Sequence, residues 1–363
     1  MLWDALNTVN PAEMPVLVTG GAGYIGSHIV HCLKTAGYPV VVYDRFSTGF
    51  RALTAMTQPK AVVEGGLHDE VHLAETLTAF NIKAVVHCAA SCYVGDSVHR
   101  PAEYYDNNVV GTHHLLNAMA TAGVEALIFS STCAVYGQPE VTPLNETLPL
   151  APISPYGFTK RVVEAMLTDR SHAATLGTSA PLRYVSLRYF NAAGATPNVS
   201  IGEAHDPETH LIPLVLQVAT GERPHITVYG TDYPTPDGTC VRDYVHVDDL
   251  AAAHELALRY VLSGGPSEIF NLGSEHGASV RQVIDACRKV TGHAIPEVQG
   301  TRREGDPPFL VASAEKIKAR LGWQPQYTDI VKTIETAWQW EQVKQRVLGQ
   351  GASVSSVVHA GAN

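Results

Sequence analysis

Short apolar runs alternate with amphipathic segments from Pro15 to about Arg188. The runs are Val16–Thr19, Val40–Tyr43, Ala61–Val63, Ala84–His87, Ala126–Ser130 and Arg183–Arg188. Each has the length of a strand, and the segments between them carry helical spacing. Pro101–Ala122 is one such segment, opening on a proline at a position that a helix tolerates. This alternation predicts an α/β fold built on a doubly wound parallel sheet. From about Tyr189 prolines and glycines become frequent, and the expected elements are shorter, separated by loops such as Thr231–Cys240. That texture suits a smaller mixed α/β lobe closing over a ligand. The expected division is 14–188 for the first unit, with some later segments returning to it, and 189–346 for the second. Residues 349–363, rich in Gly, Ser and Ala, read as a disordered tail.

Composition narrows the function classes. The chain has 363 residues, 45% hydrophobic and 17% charged, which is an ordinary globular balance. A formal charge of −10 without a basic run argues against nucleic-acid binding. No apolar stretch reaches membrane-spanning length, and Met1–Pro15 lacks the features of a signal peptide. Cys32, Cys88, Cys92, Cys133, Cys240 and Cys287 show no CxxC spacing, so free thiols in a cytoplasmic protein and no metal site are expected.

The first chemical signal is Val16-Leu17-Val18-Thr19-Gly20-Gly21-Ala22-Gly23-Tyr24-Ile25-Gly26. Strand, tight turn and helix in that order let backbone amides and a helix N-terminus meet a pyrophosphate. Gly20 would permit the turn, Gly23 the approach of the phosphates, and Gly26 the close packing of helix on strand. The next strand ends at Asp44, an acidic side chain suited to a ribose 2′-hydroxyl, which favours NAD. Arg45 follows and can tolerate a 2′-phosphate, so NADP stays open.

The second signal is Tyr156-Gly157-Phe158-Thr159-Lys160, a phenol and an ammonium one helical turn apart. For Tyr156 to act as a base at neutral pH its pKa must fall by about three from 10, roughly 4 kcal/mol. Lys160 and a positive nicotinamide ring favour the phenolate. Ser130-Ser131-Thr132 follows a predicted strand, where doubly wound sheets place their chemistry, and the Thr132 hydroxyl is suited to orienting a reacting oxygen.

Together these motifs resemble the extended short-chain dehydrogenase/reductase superfamily, whose first unit is a Rossmann domain. Further segments narrow the resemblance to the UDP-glucose (UDP-galactose) 4-epimerases. They are Tyr104–Val109, Arg188–Asn191, Thr209–Pro213, Tyr233–Thr239, Val241–Tyr244 and Arg303–Asp306. The resemblance spans about 15–345. It implies that Tyr156 takes the sugar 4-hydroxyl proton while tightly bound NAD takes the C4 hydride. The 4-keto sugar then turns over and receives the hydride on its other face. It further implies a cofactor site of Gly20, Gly23, Tyr24, Ile25, Gly26, Asp44, Arg45, Thr48, Leu67, Cys88, Ala89, Ala90, Asn107, Ser130, Tyr156, Lys160 and Tyr189. The implied UDP-sugar site comprises Thr132, Tyr156, Asn191, His210, Leu211, Tyr229, Arg242, Arg303, Asp306 and Leu310. A homodimer formed through the helix carrying Tyr156 and its neighbour is also implied.

The chain departs from the family pattern in places. Gly66 stands where many members carry an adenine-binding Asp, and Cys92 where some carry Lys. Thr132 replaces the commoner Ser, and His210 a frequent Asn. Leu310, smaller than Tyr and larger than Cys, leaves open whether 2-acetamido sugars fit. UDP-N-acetylglucosamine and UDP-xylose therefore stay as alternative substrates. A non-catalytic NAD-binding sensor on the same fold is the alternative of a different class.

Overall fold

The computed structural model of the chain describes residues 9–350, apart from Val199 and Glu304. Seven strands form one parallel sheet: β1 (Val16–Thr19), β2 (Val40–Asp44), β3 (Ala61–Glu64), β4 (Ala84–His87), β5 (Ala126–Thr132), β6 (Arg183–Tyr189) and β7 (Glu268–Leu272). Their order is β7-β6-β5-β4-β1-β2-β3, so the strand sequence reverses direction between β1 and β4. Such a switch point opens a crevice at the carboxyl ends of the strands.

Both faces of the sheet are covered. On one face, helix α1 (Tyr24–Thr35) packs with Ile29, Val30 and Leu33 against Val16, Val40 and Val86. On the other, α2 (Gly111–Ala122) and α3 (Pro155–Thr175) bring Leu115, Met119, Val163 and Leu167 onto Leu17, Val85 and Leu127. Burial on two faces explains why β1, β2 and β4 read as near-continuous apolar runs rather than alternating ones.

Three sequence expectations need correction. Pro101–Ala122 is not one regular helix, because the turn Asp106–Val110 is widened to π geometry between Pro101–Tyr105 and α2. Later elements are not uniformly short: α4 (Val247–Leu262) and α5 (Ile330–Gln350) run 16 and 21 residues. Gly349 and Gln350 complete α5 instead of starting a tail, and residues 351–363 of that expected tail lie outside the described residues.

The chain also re-enters the first layer after residue 188. β7 adds beside β6, and α4 packs on the same face as α1 through Leu250, Ala257 and Val261. The remaining segments build a second core around Val215, Leu216, Val283, Ile284 and Ile334. Strands Asn191–Ala193, Val241–His246, Gly277–Ser279 and Phe309–Leu310 lie over it.

Candidate active site

The turn after β1 is shaped to admit a phosphate-bearing ligand. Gly20 has φ +73°, and a Cβ there would stand 2.7 Å from the Ala89 amide nitrogen. A Cβ on Gly26 would stand 2.1 Å from the Gly20 carbonyl oxygen, so a side chain at either position is excluded. α1 begins at Gly23 with no side-chain cap, which leaves its N-terminal dipole and amides directed outward, a cradle that fits a pyrophosphate. At the end of β2, Asp44 is held by the amides of Ala22 (3.0 Å) and Phe46 (2.8 Å). Burial pushes its carboxyl up while those two hydrogen bonds pull it back. Arg45 is exposed and donates to Ser47, and Thr48 is exposed beside it. Leu67 is buried against Gly111. Tyr24, the first residue of α1, donates its hydroxyl to the Gly194 carbonyl at 2.7 Å.

The Tyr-x-x-x-Lys segment opens α3. Ser154 caps the helix by accepting from the Gly157 amide (3.1 Å), and Pro155 fills the first helical position. This fixes Tyr156 in the first turn and Lys160 one turn later, both buried. Lys160 Nζ donates to the Ser130 carbonyl at the end of β5 (2.8 Å) and lies 4.8 Å above the Phe129 ring. Burial brings Lys160 down to about 8, with Cys88, Cys92 and Glu164 opposing. Burial also holds the Tyr156 phenol above its ordinary range, against the nearby Thr132 hydroxyl, which favours the phenolate. The protein's own groups therefore do not produce the lowered phenol expected from the sequence, because desolvation of the phenolate outweighs them.

A buried polar framework holds these groups in place. His87 on β4 bridges Thr19 (2.7 Å) and Thr112 (2.9 Å), and burial lowers it to about 3, so it is neutral. Asn108, in the π turn, accepts from the Ser91 amide (2.8 Å) and donates to Ser91 O (3.0 Å) and Thr159 Oγ1 (3.1 Å). It thereby ties the loop after Ala89 and Ala90 to α3. Asn107, the residue expected from the sequence, is half-buried and donates to Asn108 Oδ1 (2.9 Å). Ser130 Oγ meets His254 Nε2 at 3.1 Å and donates to Cys88 at 3.2 Å, with the Tyr189 ring beside His254. One turn beyond Lys160, Glu164 accepts two hydrogen bonds from Arg188 (2.8 and 2.7 Å) and one from Ser131 (2.7 Å).

The residues expected to hold a nucleotide diphosphate gather on the second core. Arg242 pairs with Asp306 at 3.0 Å and donates to Pro307 O at 2.9 Å. The Arg303 guanidinium covers the Tyr229 ring at 4.2 Å. The buried Asp243 next to Arg242 accepts from the amides of Ser274 (2.7 Å), Glu275 (3.1 Å) and Ala312 (3.1 Å), fastening two segments to its strand. Leu310 pairs in register with Arg242 and packs toward Val135, Tyr136 and Phe190. Asn191 donates to Asp243 O at 3.0 Å. His210 stands at the N-cap position of the helix that starts at Leu211, without a capping hydrogen bond from its side chain.

Sequence reasoning missed Asn108, His87, His254, Glu164 and Asp243. Glu164 had a usable signal: it continues the four-residue spacing of Tyr156 and Lys160 along one helical face. The others depend on contacts between distant elements, which no local spacing reveals.

Residues 16–273 match the model of the NAD dependent epimerase/dehydratase family. The chain is 48% identical over 330 residues to the UDP-glucose 4-epimerase of Halalkalibacterium halodurans, covering 91% of this chain and 96% of that protein. It resembles the crystal structure of the Brucella ovis UDP-glucose 4-epimerase in complex with NAD, with a TM-score of 0.85 and 45% identity. That match covers 90% of this chain and 98% of the other. The Bifidobacterium longum UDP-glucose 4-epimerase, crystallised with NAD+ and UDP, matches with a TM-score of 0.84 at 36% identity, covering 92% of this chain and 100% of that one.

Proposed function

The chain belongs to the NAD dependent epimerase/dehydratase family, and we propose that it interconverts UDP-glucose and UDP-galactose at C4, with Tyr156 exchanging the hydroxyl proton. The observation that carries this reading is the meeting of Tyr156, Thr132 and Lys160 at the carboxyl end of β5. NAD, when bound at the glycine turn, supplies the acceptor and donor for the C4 hydride. Tyr156 takes the 4-hydroxyl proton and returns it to the alcohol of opposite configuration, and the Thr132 hydroxyl orients that oxygen. Lys160, tied to Ser130 O by one of its three donors, keeps two for ribose hydroxyls and places positive charge near the phenol. Of the protein's groups, the Thr132 hydroxyl works against the burial that raises Tyr156.

On the substrate side, Arg242 and Arg303 offer planar, multi-donor groups to a diphosphate. Asp306 serves the uridine ribose, and its pairing with Arg242 keeps both oriented before ligand arrives. Asn191, His210, Leu211 and Tyr229 complete that side, and Leu310 borders the sugar.

The protein works as a homodimer in this reading. Tyr105, Val110 and Phe158 lie exposed on α3 and the neighbouring helical stretch, with the Tyr105 and Phe158 rings 6.4 Å apart. Free thiols at all six cysteines support a reducing compartment. Among the described residues no helix is long and apolar enough to cross a membrane.

The test is conversion of UDP-galactose to UDP-glucose by purified protein with no NAD added. Wild type should turn over, and Tyr156→Phe should lose at least about 100-fold in kcat while still binding NAD. Turnover by Tyr156→Phe at the wild-type rate would remove the proposed base.

A further inference from the structure

Four side chains converge on the segment leading into the helix that starts at Leu211. Glu203, His205, Glu208 and His210 each place one donor atom within 4.8 Å of all the others. Both imidazoles present Nδ1 to the same oxygen, Glu203 Oε1, at 3.1 Å for His205 and 2.9 Å for His210. Nδ1 of His210 is also 2.9 Å from Glu208 Oε1, and Nδ1 of His205 is 3.8 Å from Glu208 Oε2. The amides of Thr209 and His210 both donate to Glu208 Oε1 at 2.8 Å, which orients the carboxylate and leaves Oε2 available.

The two carboxylate side chains are only 7% and 5% exposed, so their charges require close compensation. The two imidazole rings stand with their centroids 4.9 Å apart. One divalent cation supplies that compensation at a single point. Two imidazoles with two carboxylates form a donor set that suits zinc. In a tetrahedral site with bonds of about 2.0–2.1 Å, donor atoms stand about 3.3 Å apart. The imidazole–carboxylate separations here run from 2.9 to 3.8 Å, and all four donor atoms lie within 4.8 Å of one another.

We propose that Glu203, His205, Glu208 and His210 form a zinc site that pins this segment against the cofactor turn. The surroundings are built to hold it. Trp340 Nε1 donates to Glu203 O at 2.7 Å, and a Cβ on Gly202 would stand 2.4 Å from the Trp340 ring. The rings of Tyr24, at the start of α1, and Tyr93, beyond Ala89 and Ala90, stand edge-on to His205, each 6.0 Å away. A bound ion thus fixes the segment that presents His210 and Leu211, where the cofactor turn and the substrate-side core meet. Cysteine spacing, on which the expectation of no metal rested, is blind to this set. The inference is independent of the proposed reaction, because it concerns only ion binding.

The experiment uses tag-free, full-length, NAD-loaded protein, stripped with EDTA and titrated with zinc chloride in a calorimeter. Elemental analysis of the loaded protein and the visible spectrum of a cobalt-substituted sample accompany it. The expected result is one ion per chain and the intense visible bands of tetrahedral cobalt. His205→Ala and Glu203→Gln should each weaken zinc binding by at least about 10-fold. His114→Ala, which alters the separate His113/His114 pair, should leave it unchanged. His205→Gln keeps a donor toward Glu203 and serves if the alanine variant fails to fold. No stoichiometric uptake, or uptake unaffected by the His205 variants, would overturn the proposal and leave the four residues as a salt-bridged cluster.

Discussion

Replacing Glu164 by alanine strands a charge in the interior behind the proton-transfer site. The side chains of Glu164 and Arg188 are 1% and 3% exposed, and their two hydrogen bonds measure 2.8 and 2.7 Å. Removing one partner of such a pair costs about 3–5 kcal/mol, because the guanidinium left behind has neither water nor counter-charge. The double substitution Glu164→Leu, Arg188→Met removes both charges and refills the space with apolar atoms. Its remaining cost is the Ser131 hydroxyl, which loses its acceptor at 2.7 Å, worth about 1–3 kcal/mol. Tyr136 keeps Asn271 as its acceptor at 2.8 Å and adds little. The double variant should therefore be milder than Glu164→Ala by about 2 kcal/mol, although it changes more atoms. Urea midpoints of the NAD-loaded proteins, compared at equal slopes, measure the difference. A double variant as unstable as the sum of the single ones would refute the reasoning, since it would mean that the two side chains contribute separately.

Lys160, brought down to about 8 by burial, is charged below that pH and neutral above it. Wild-type kcat should fall as pH rises through about 8, and Lys160→Arg, which stays protonated, should abolish that alkaline limb whatever its absolute rate. A limb unchanged in Lys160→Arg would assign it to another group. For the dimer, Phe158→Asp should shift the protein to monomer in sedimentation velocity at micromolar concentration, without loss of bound NAD. An unshifted dimer would place the interface elsewhere.

The central sheet was legible because strands buried on both faces leave long apolar runs, and the runs at Val16, Val40, Ala84 and Ala126 all start strands. β7 escaped because Glu268-Ile269-Phe270-Asn271-Leu272 is an edge strand with polar residues at its first and fourth positions, set in a stretch that otherwise reads as loops. The π turn at Asp106–Val110 escaped because one widened turn leaves the surrounding helical spacing intact. Its effect is large all the same: it buries Asn108, where reasoning from the sequence favoured Asn107. Gly20 and Gly26 were legible because close backbone approach leaves glycine as the only solution. The elevated Tyr156 phenol was not, since desolvation depends on what packs around the ring and the Tyr-x-x-x-Lys spacing carries no record of it.

The reaction is tested most directly with UDP-galactose deuterated at C4, converted in ordinary water with no NAD added. If the hydride leaves and returns within one site, UDP-glucose should form with the deuterium still at C4. Product carrying hydrogen from solvent at C4 would contradict the account, because it would mean that C4 exchanges as a proton and that Tyr156 does not serve a hydride-transfer site.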